Sequence, residues 1–168
     1  MNLKEYRNKI DAIDAKMVAL LNDRAQMSLA IGHEKTKHKK WIYAPDREKQ
    51  VLARIKALNA GPMPPEAFAA IYREIMSSCL SLEKPLKIGY MGPPASFSHL
   101  AARQKFGSQV EYFSCANIGA VFQAVEKDEC DYGVVPIENS IEGAVTHTFD
   151  MLVDSDLKIC SEVMLEVS

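Results

Sequence analysis

Apolar residues in the first part of the chain recur at intervals of three and four. Leu3, Tyr6, Ile10, Ile13, Met17, Leu20, Met27 and Ile31 keep this spacing, which marks one face of an α-helix. Gly32 is the only helix-weakening residue before Pro45, so one helix is predicted over about 3–37. At 1.5 Å per residue it is roughly 50 Å long, whereas a globule of some 80 residues is only about 30 Å across. Its stripe therefore needs cover from a second chain, and dimerisation is the expected answer. A second helix is predicted from Pro45, with Val51, Leu52, Ile55 and Leu58 on one side, ended by "NAGPMPP" (59–65). A third runs from about Pro65 to Glu83, carrying Phe68, Ile71, Tyr72, Ile75, Met76 and Cys79 at helical spacing.

After "EKPLK" the period changes. Short apolar runs, "LKIGYM" (86–91), "VEYFS" (110–114) and "DYGVVPI" (131–137), alternate with helical stretches. The first helix follows the loop in "GPPASFSHLAARQKFG"; the second, "NIGAVFQAVEKDE" (117–129), is capped by Asn117. "EGAVTHTFDMLVDS" is predicted helical and "LKICSEVMLEV" is predicted to be a last strand. Strands alternating with helices predict an α/β lobe with a mostly parallel sheet. The expected organisation is multidomain: an all-α three-helix domain over 1–84, then the lobe over 86–168.

Composition narrows the function. Hydrophobic residues at 48% and charged residues at 25% suit a globular protein, and a net charge of −2 gives no field to hold nucleic acid or an anionic membrane. The N-terminus lacks a signal-peptide core and no run is long enough to span a bilayer, so a cytoplasmic location is expected. Cys79, Cys115, Cys130 and Cys160 are scattered without a C-x-x-C pair, which points to reduced thiols rather than a disulfide frame or metal site.

Any cationic site must then be local. "IYAPDREKQVL" (42–52) poses the question, because Pro45, Asp46 and Glu48 suit a helix start whereas Arg47 faces the positive end of the dipole. Arg24 fills a slot in the apolar stripe, and Lys35, eleven residues on, shares its face roughly 16 Å away. If the second helix packs back antiparallel, Arg47 falls near the gap between them. Arg7 lies about 25 Å from Arg24 and can join only from the other chain of an antiparallel dimer. Each cation has a bland reading as a solvated surface charge, preferred for Lys37, Lys39 and Lys40. For Arg24 that reading is weaker, since an unpaired charge in an apolar stripe is costly. With Glu48, Cys79 and Glu83, the set suggests a buried site for a small dicarboxylate.

"YRNKIDAIDAKMVALLNDRAQMSLAIGHEK" followed by "YAPDRE" resembles the all-α chorismate mutases, specifically the mutase domain of bifunctional chorismate mutase–prephenate dehydratases. The resemblance implies an intertwined homodimer in which Arg7 of one chain joins Arg24 and Arg47 of the other on the two carboxylates of chorismate. It further implies that Lys35 meets the ether oxygen and Glu48 the ring hydroxyl, with no cofactor and no metal. The pericyclic conversion of chorismate to prephenate needs only a held conformer and stabilised charge on the ether oxygen. Three positions depart from the family pattern: Glu83 stands where many members have Gln, Cys79 where some have Ser, and Ala44 where some have Asp. Glu83 is expected to act protonated, and Lys35, Glu83 and Arg47 are the expected catalytic residues.

In the second half, "GPPASFSHLAA" is similar to the prephenate dehydratase "GPxGTFSHxAA" segment, and "VPIENSIEGAV" to that family's motif. Ala95-Ser96 replaces the usual Gly-Thr. Ser96, Ser98, Glu138, Asn139 and Ser140 are the implied substrate contacts; on spacing alone Asn139 and Ser140 are equally helix caps. The family's catalytic Thr-Arg-Phe motif has no counterpart here, since the only threonines are Thr36, Thr146 and Thr148. The 168 residues are therefore expected to act as a mutase joined to half of a dehydratase cleft, without dehydratase activity or phenylalanine control. Two rival readings are a non-catalytic dimeric module that binds a small dicarboxylate, and a structural coiled-coil dimer. Arg24 in the seam and Arg47 in a helix's first turn argue against the second.

Overall fold

The computed structural model describes residues 2–38, 43–139 and 143–166, and of Asn139 the backbone alone. Helix α1 (Leu3–Lys37) spans the predicted range. Asn2 starts it with a reciprocal cap, its side chain accepting the Glu5 N–H and the Glu5 carboxylate accepting the Asn2 N–H, both at 3.0 Å. Helices α2 (Pro45–Leu58) and α3 (Pro65–Glu83) each begin at a proline, whose missing N–H costs nothing there. Both α1 and α2 pack against α3.

The only buried residue of the 35-residue α1 is Gly32. There α3 comes so close that an added Cβ would sit 3.0 Å from Glu83 Cβ. The rest of the stripe stays open: Leu3, Tyr6, Ile10, Ile13, Met17, Leu20, Met27 and Ile31 are all more than half exposed.

The α/β region is a parallel three-stranded sheet of order β2-β1-β3, with β1 (Lys87–Met91) between β2 (Glu111–Cys115) and β3 (Tyr132–Val134). Ile88 stands in register with Tyr112 on one side and Tyr132 on the other. Helix α4 (Phe97–Phe106) carries the chain from β1 to β2, and α5 (Ile118–Glu126) from β2 to β3, the crossovers that parallel pairing requires. Asn117 caps α5 as predicted, accepting the Ala120 N–H at 2.9 Å.

Three sequence expectations are corrected here. The predicted helix over "EGAVTHTFDMLVDS" begins only at Thr146 as α6 (Thr146–Asp154). Before it, β5 (Gly143–Ala144) pairs antiparallel with β4 (Glu138–Asn139), and Gly143 takes a φ of 79° that helps turn the chain. The strand predicted over "DYGVVPI" stops at Val134, short of Pro136, which has no N–H for a ladder. "LKICSEVMLEV" forms no strand over its described residues, because it joins neither edge of the sheet; the Gln104 side chain donates to Met164 O at 3.3 Å.

The helices and the lobe share one core. Tyr43, Leu86, Ile88, Tyr90, Ala102 and Phe106 form its buried cluster, with Leu80 of α3 packed against it. The Tyr43 ring lies 5.0 Å from Phe106 and 5.4 Å from Tyr132, centroid to centroid. Glu74 and Ser77 of α3 accept the backbone N–H groups of Ser108 at 3.1 Å and Gln109 at 3.2 Å. Lys84 pairs with Asp131. Among the described residues no helix is long and apolar enough to cross a membrane.

Candidate functional site

Two cations of α1 converge on one turn of α3. Arg24 Nη1 donates to Cys79 Sγ at 2.8 Å, and Lys35 Nζ lies 3.2 Å from Glu83 Oε2. The α1 positions are about 16 Å apart and the α3 positions about 6 Å, so the long side chains lean toward one another. Both pairs ascend together, which sets α1 and α3 parallel where they meet. Cys79 is buried, and the Glu83 side chain is 8% exposed against 21% for Lys35. Among the described residues no carboxylate pairs with Arg24. Its half-buried guanidinium rests on a thiol, which cancels no charge.

The remaining helical residues are spread more widely. Arg47, in the exposed first turn of α2, donates to Gln50 Oε1 of the same helix at 3.5 Å. Arg7 stands exposed on α1. Glu48 faces the lobe. Its Oε2 accepts from the Tyr43 hydroxyl at 2.8 Å and pairs with Lys105 Nζ of α4 at 3.0 Å. The Tyr43 phenol is pushed far above its ordinary pKa, first by burial, then by its hydrogen bond to Glu48 and that carboxylate's charge. Tyr132, packed beside it, is pushed up to about 12, mainly by burial.

In the lobe, the loop after β1 is held by its own side chains. Ser96 caps α4: its Oγ accepts the His99 N–H at 3.3 Å and donates to Met91 O at 3.1 Å. His99 accepts the Ala95 N–H on Nδ1 at 2.9 Å, while its ring stacks on Tyr90 at 4.5 Å. Ser98 is buried. The Ser96 hydroxyl and His99 Nδ1 are therefore spent on the fold. Glu138 is exposed on β4, Asn139 follows it there, and Ser140 lies outside the described residues. No cluster of His, Cys, Asp or Glu among the described residues is arranged to hold a metal ion.

The sequence reading missed three residues. Gly32 was visible as a glycine inside a strong helical pattern, which usually has a packing reason. Tyr43 and Lys105 carried no signal, because their pairing with Glu48 depends on how the lobe docks.

Residues 6–84 match the family model described as chorismate mutase type II, and residues 88–168 match prephenate dehydratase. The chain is 46% identical over 170 residues to the bifunctional chorismate mutase/prephenate dehydratase of Aquifex aeolicus (strain VF5), a match covering 99% of this chain and 47% of that protein. Against the protein of the same description from Neisseria gonorrhoeae (strain ATCC 700825 / FA 1090) the identity is 45% over 162 residues, covering 96% of this chain and 44% of the relative. A solved chorismate mutase from Thermus thermophilus overlaps 49% of this chain and 93% of its own at 30% identity, with a TM-score of 0.48. The chain spans about half the length of the curated relatives it matches. Its residues 6–84 belong to the type II chorismate mutase family and its residues 88–168 to the prephenate dehydratase family.

Proposed function

We propose that the chain rearranges chorismate to prephenate, in the biosynthesis of aromatic amino acids, with residues 1–84 as the catalytic domain. The observation that carries this reading is Arg24, a half-buried guanidinium whose contact is the Cys79 sulfur rather than a carboxylate and whose neighbour on α1 is a second cation, Lys35. A small dianion supplies the missing charge. Arg24 and Arg47 grip the substrate carboxylates with Arg7 of a second copy, in a homodimer that also covers the open stripe of α1. Lys35, held by Glu83, donates to the ether oxygen, where negative charge grows as the C–O bond breaks. Glu48 accepts from the ring hydroxyl. No nucleophile, proton transfer or cofactor enters, so the protein's work is orientation and charge stabilisation. Glu138, Asn139 and Ser140 are the residues of 86–168 we assign to prephenate. The enzyme works in the cytoplasm.

The test is to supply the purified chain with chorismate at neutral pH and identify the product, beside Lys35→Ala. Prephenate is the expected product. Losing Lys35 removes a transition-state donor worth about 3–4 kcal/mol, a factor of roughly 10²–10³ in kcat. A folded wild-type chain without turnover makes the dicarboxylate-binding module the better reading, and near-normal kcat in Lys35→Ala removes Lys35 from the mechanism.

A further inference from the structure

We infer that Lys105, on α4 of the α/β region, is a positioning residue for the rearrangement carried out by the helical region. The inference rests on the role proposed for Glu48 and goes beyond it. Lys105 Nζ lies 3.0 Å from Glu48 Oε2 with side-chain exposures of 14% and 15%, so the pair is largely shielded from water. Tyr43 OH donates to the same oxygen at 2.8 Å, and the Lys105 ammonium stands 5.7 Å from the Tyr43 ring centroid. Both contacts fall on Oε2, one a hydrogen bond and the other an ion pair, and neither is made to Oε1. A carboxylate pinned through one oxygen presents the other in a fixed direction, as an acceptor for a substrate hydroxyl must be presented.

Glu48 sits near the start of α2, where nothing in its own helix restrains its side chain among the described residues. Its two restraints come from a buried tyrosine and from a lysine 57 positions later in the chain. Tyr43 is itself fixed by Phe106, the neighbour of Lys105 on α4, and by Tyr132 on β3. The lobe therefore sets the direction of a mutase side chain without touching substrate. Lys105 holds Glu48 by charge; the aromatic cluster holds the tyrosine that completes the grip.

The experiment is a double-mutant cycle on the full 168-residue chain, with chorismate turnover and thermal melting measured for wild type, Lys105→Met, Glu48→Gln and the double variant. Lys105→Met is expected to lower kcat/KM about tenfold, the order of losing one partner of a partly shielded ion pair, with most of the change in KM. In the Glu48→Gln background the same substitution should cost little more, because the carboxylate it orients is gone. Lys105→Arg should restore most of the loss. Should Lys105→Met fail to fold, Lys105→Gln keeps much of the stem and carries the same test. An unchanged kcat/KM in folded Lys105→Met or Lys105→Gln overturns the inference, as does a loss that adds in full to that of Glu48→Gln. An inactive wild-type chain, by contrast, overturns the mutase reading itself, so the two failures are told apart.

Discussion

Gly32→Ala isolates the packing that holds the α1–α3 pair together. A methyl group at this position would lie 3.0 Å from Glu83 Cβ and Cγ and 3.3 Å from its Cα. Ordinary carbon contacts are about 3.5–4.0 Å. Because Cβ and Cα are among the crowded atoms, rotating the Glu83 side chain gives no relief, and α3 must retreat by roughly 0.5–1 Å. Two energies compete. Alanine improves the helix by about 1 kcal/mol over glycine, and crowding a packed contact costs about 1–3 kcal/mol. The net destabilisation is about 0–2 kcal/mol, at most several degrees in Tm for a chain of this size. Activity should suffer more, since misplacing a transition-state donor by about 1 Å can cost 10²-fold. The expected variant melts near wild type but turns over chorismate about 10–100 times more slowly. Wild-type turnover together with a wild-type melt would refute the claim that Gly32 sets the Lys35–Glu83 geometry.

Two further substitutions test other parts of the structure. Ala95 has a φ of 69°, a left-handed conformation that costs a non-glycine residue about 1–2 kcal/mol. Glycine's extra freedom when unfolded offsets part of that, so Ala95→Gly should raise stability by about 0.5–1 kcal/mol; a lower Tm by calorimetry would show that the loop is not strained. Ile10 and Met17 lie in the exposed stripe of α1, more than half accessible. The wild-type chain should sediment as a dimer and Ile10→Asp/Met17→Asp as a folded monomer, whereas equal sedimentation of the two would place the dimer interface elsewhere.

The first three helices were the most legible part of the sequence. Each combines a period near 3.6 with proline or asparagine at its start, so local chemistry alone sets its limits. The three parallel strands were legible for a related reason, as apolar runs between helices. The final segment was misread because "LKICSEVMLEV" has strand-like residues, and a strand also needs an edge to join, which composition does not report. Arg24 was legible from its place in the apolar series; Gly32 was visible as the one glycine of the first helix, but its close contact with Glu83 was not. The partners were not legible. That Arg24 meets Cys79, Lys35 meets Glu83 and Glu48 turns toward Lys105 depends on contacts 48 or more positions apart, except for Tyr43 beside Glu48.

The pairing of charges separates two tasks within the proposed site. The salt bridge from Lys35 to Glu83 at 3.2 Å reads Glu83 as ionised, against the expectation that it acts protonated, so the ammonium is oriented and brings little net charge to its surroundings. Arg24 and Arg47 meet a thiol and an amide, neither of which offsets their charge. The uncompensated positive charge therefore sits on the two guanidinium groups, whose planar donors suit carboxylates, while the compensated cation is left to donate one directed hydrogen bond. A site with all its cations paired would hold its shape but attract a dianion poorly. One with none paired would attract it but let a lysine ammonium swing on its four-carbon stem. The division also accounts for Arg47 in the first turn of α2. A guanidinium there opposes the helix dipole, and a substrate carboxylate bound between the two is attracted by both.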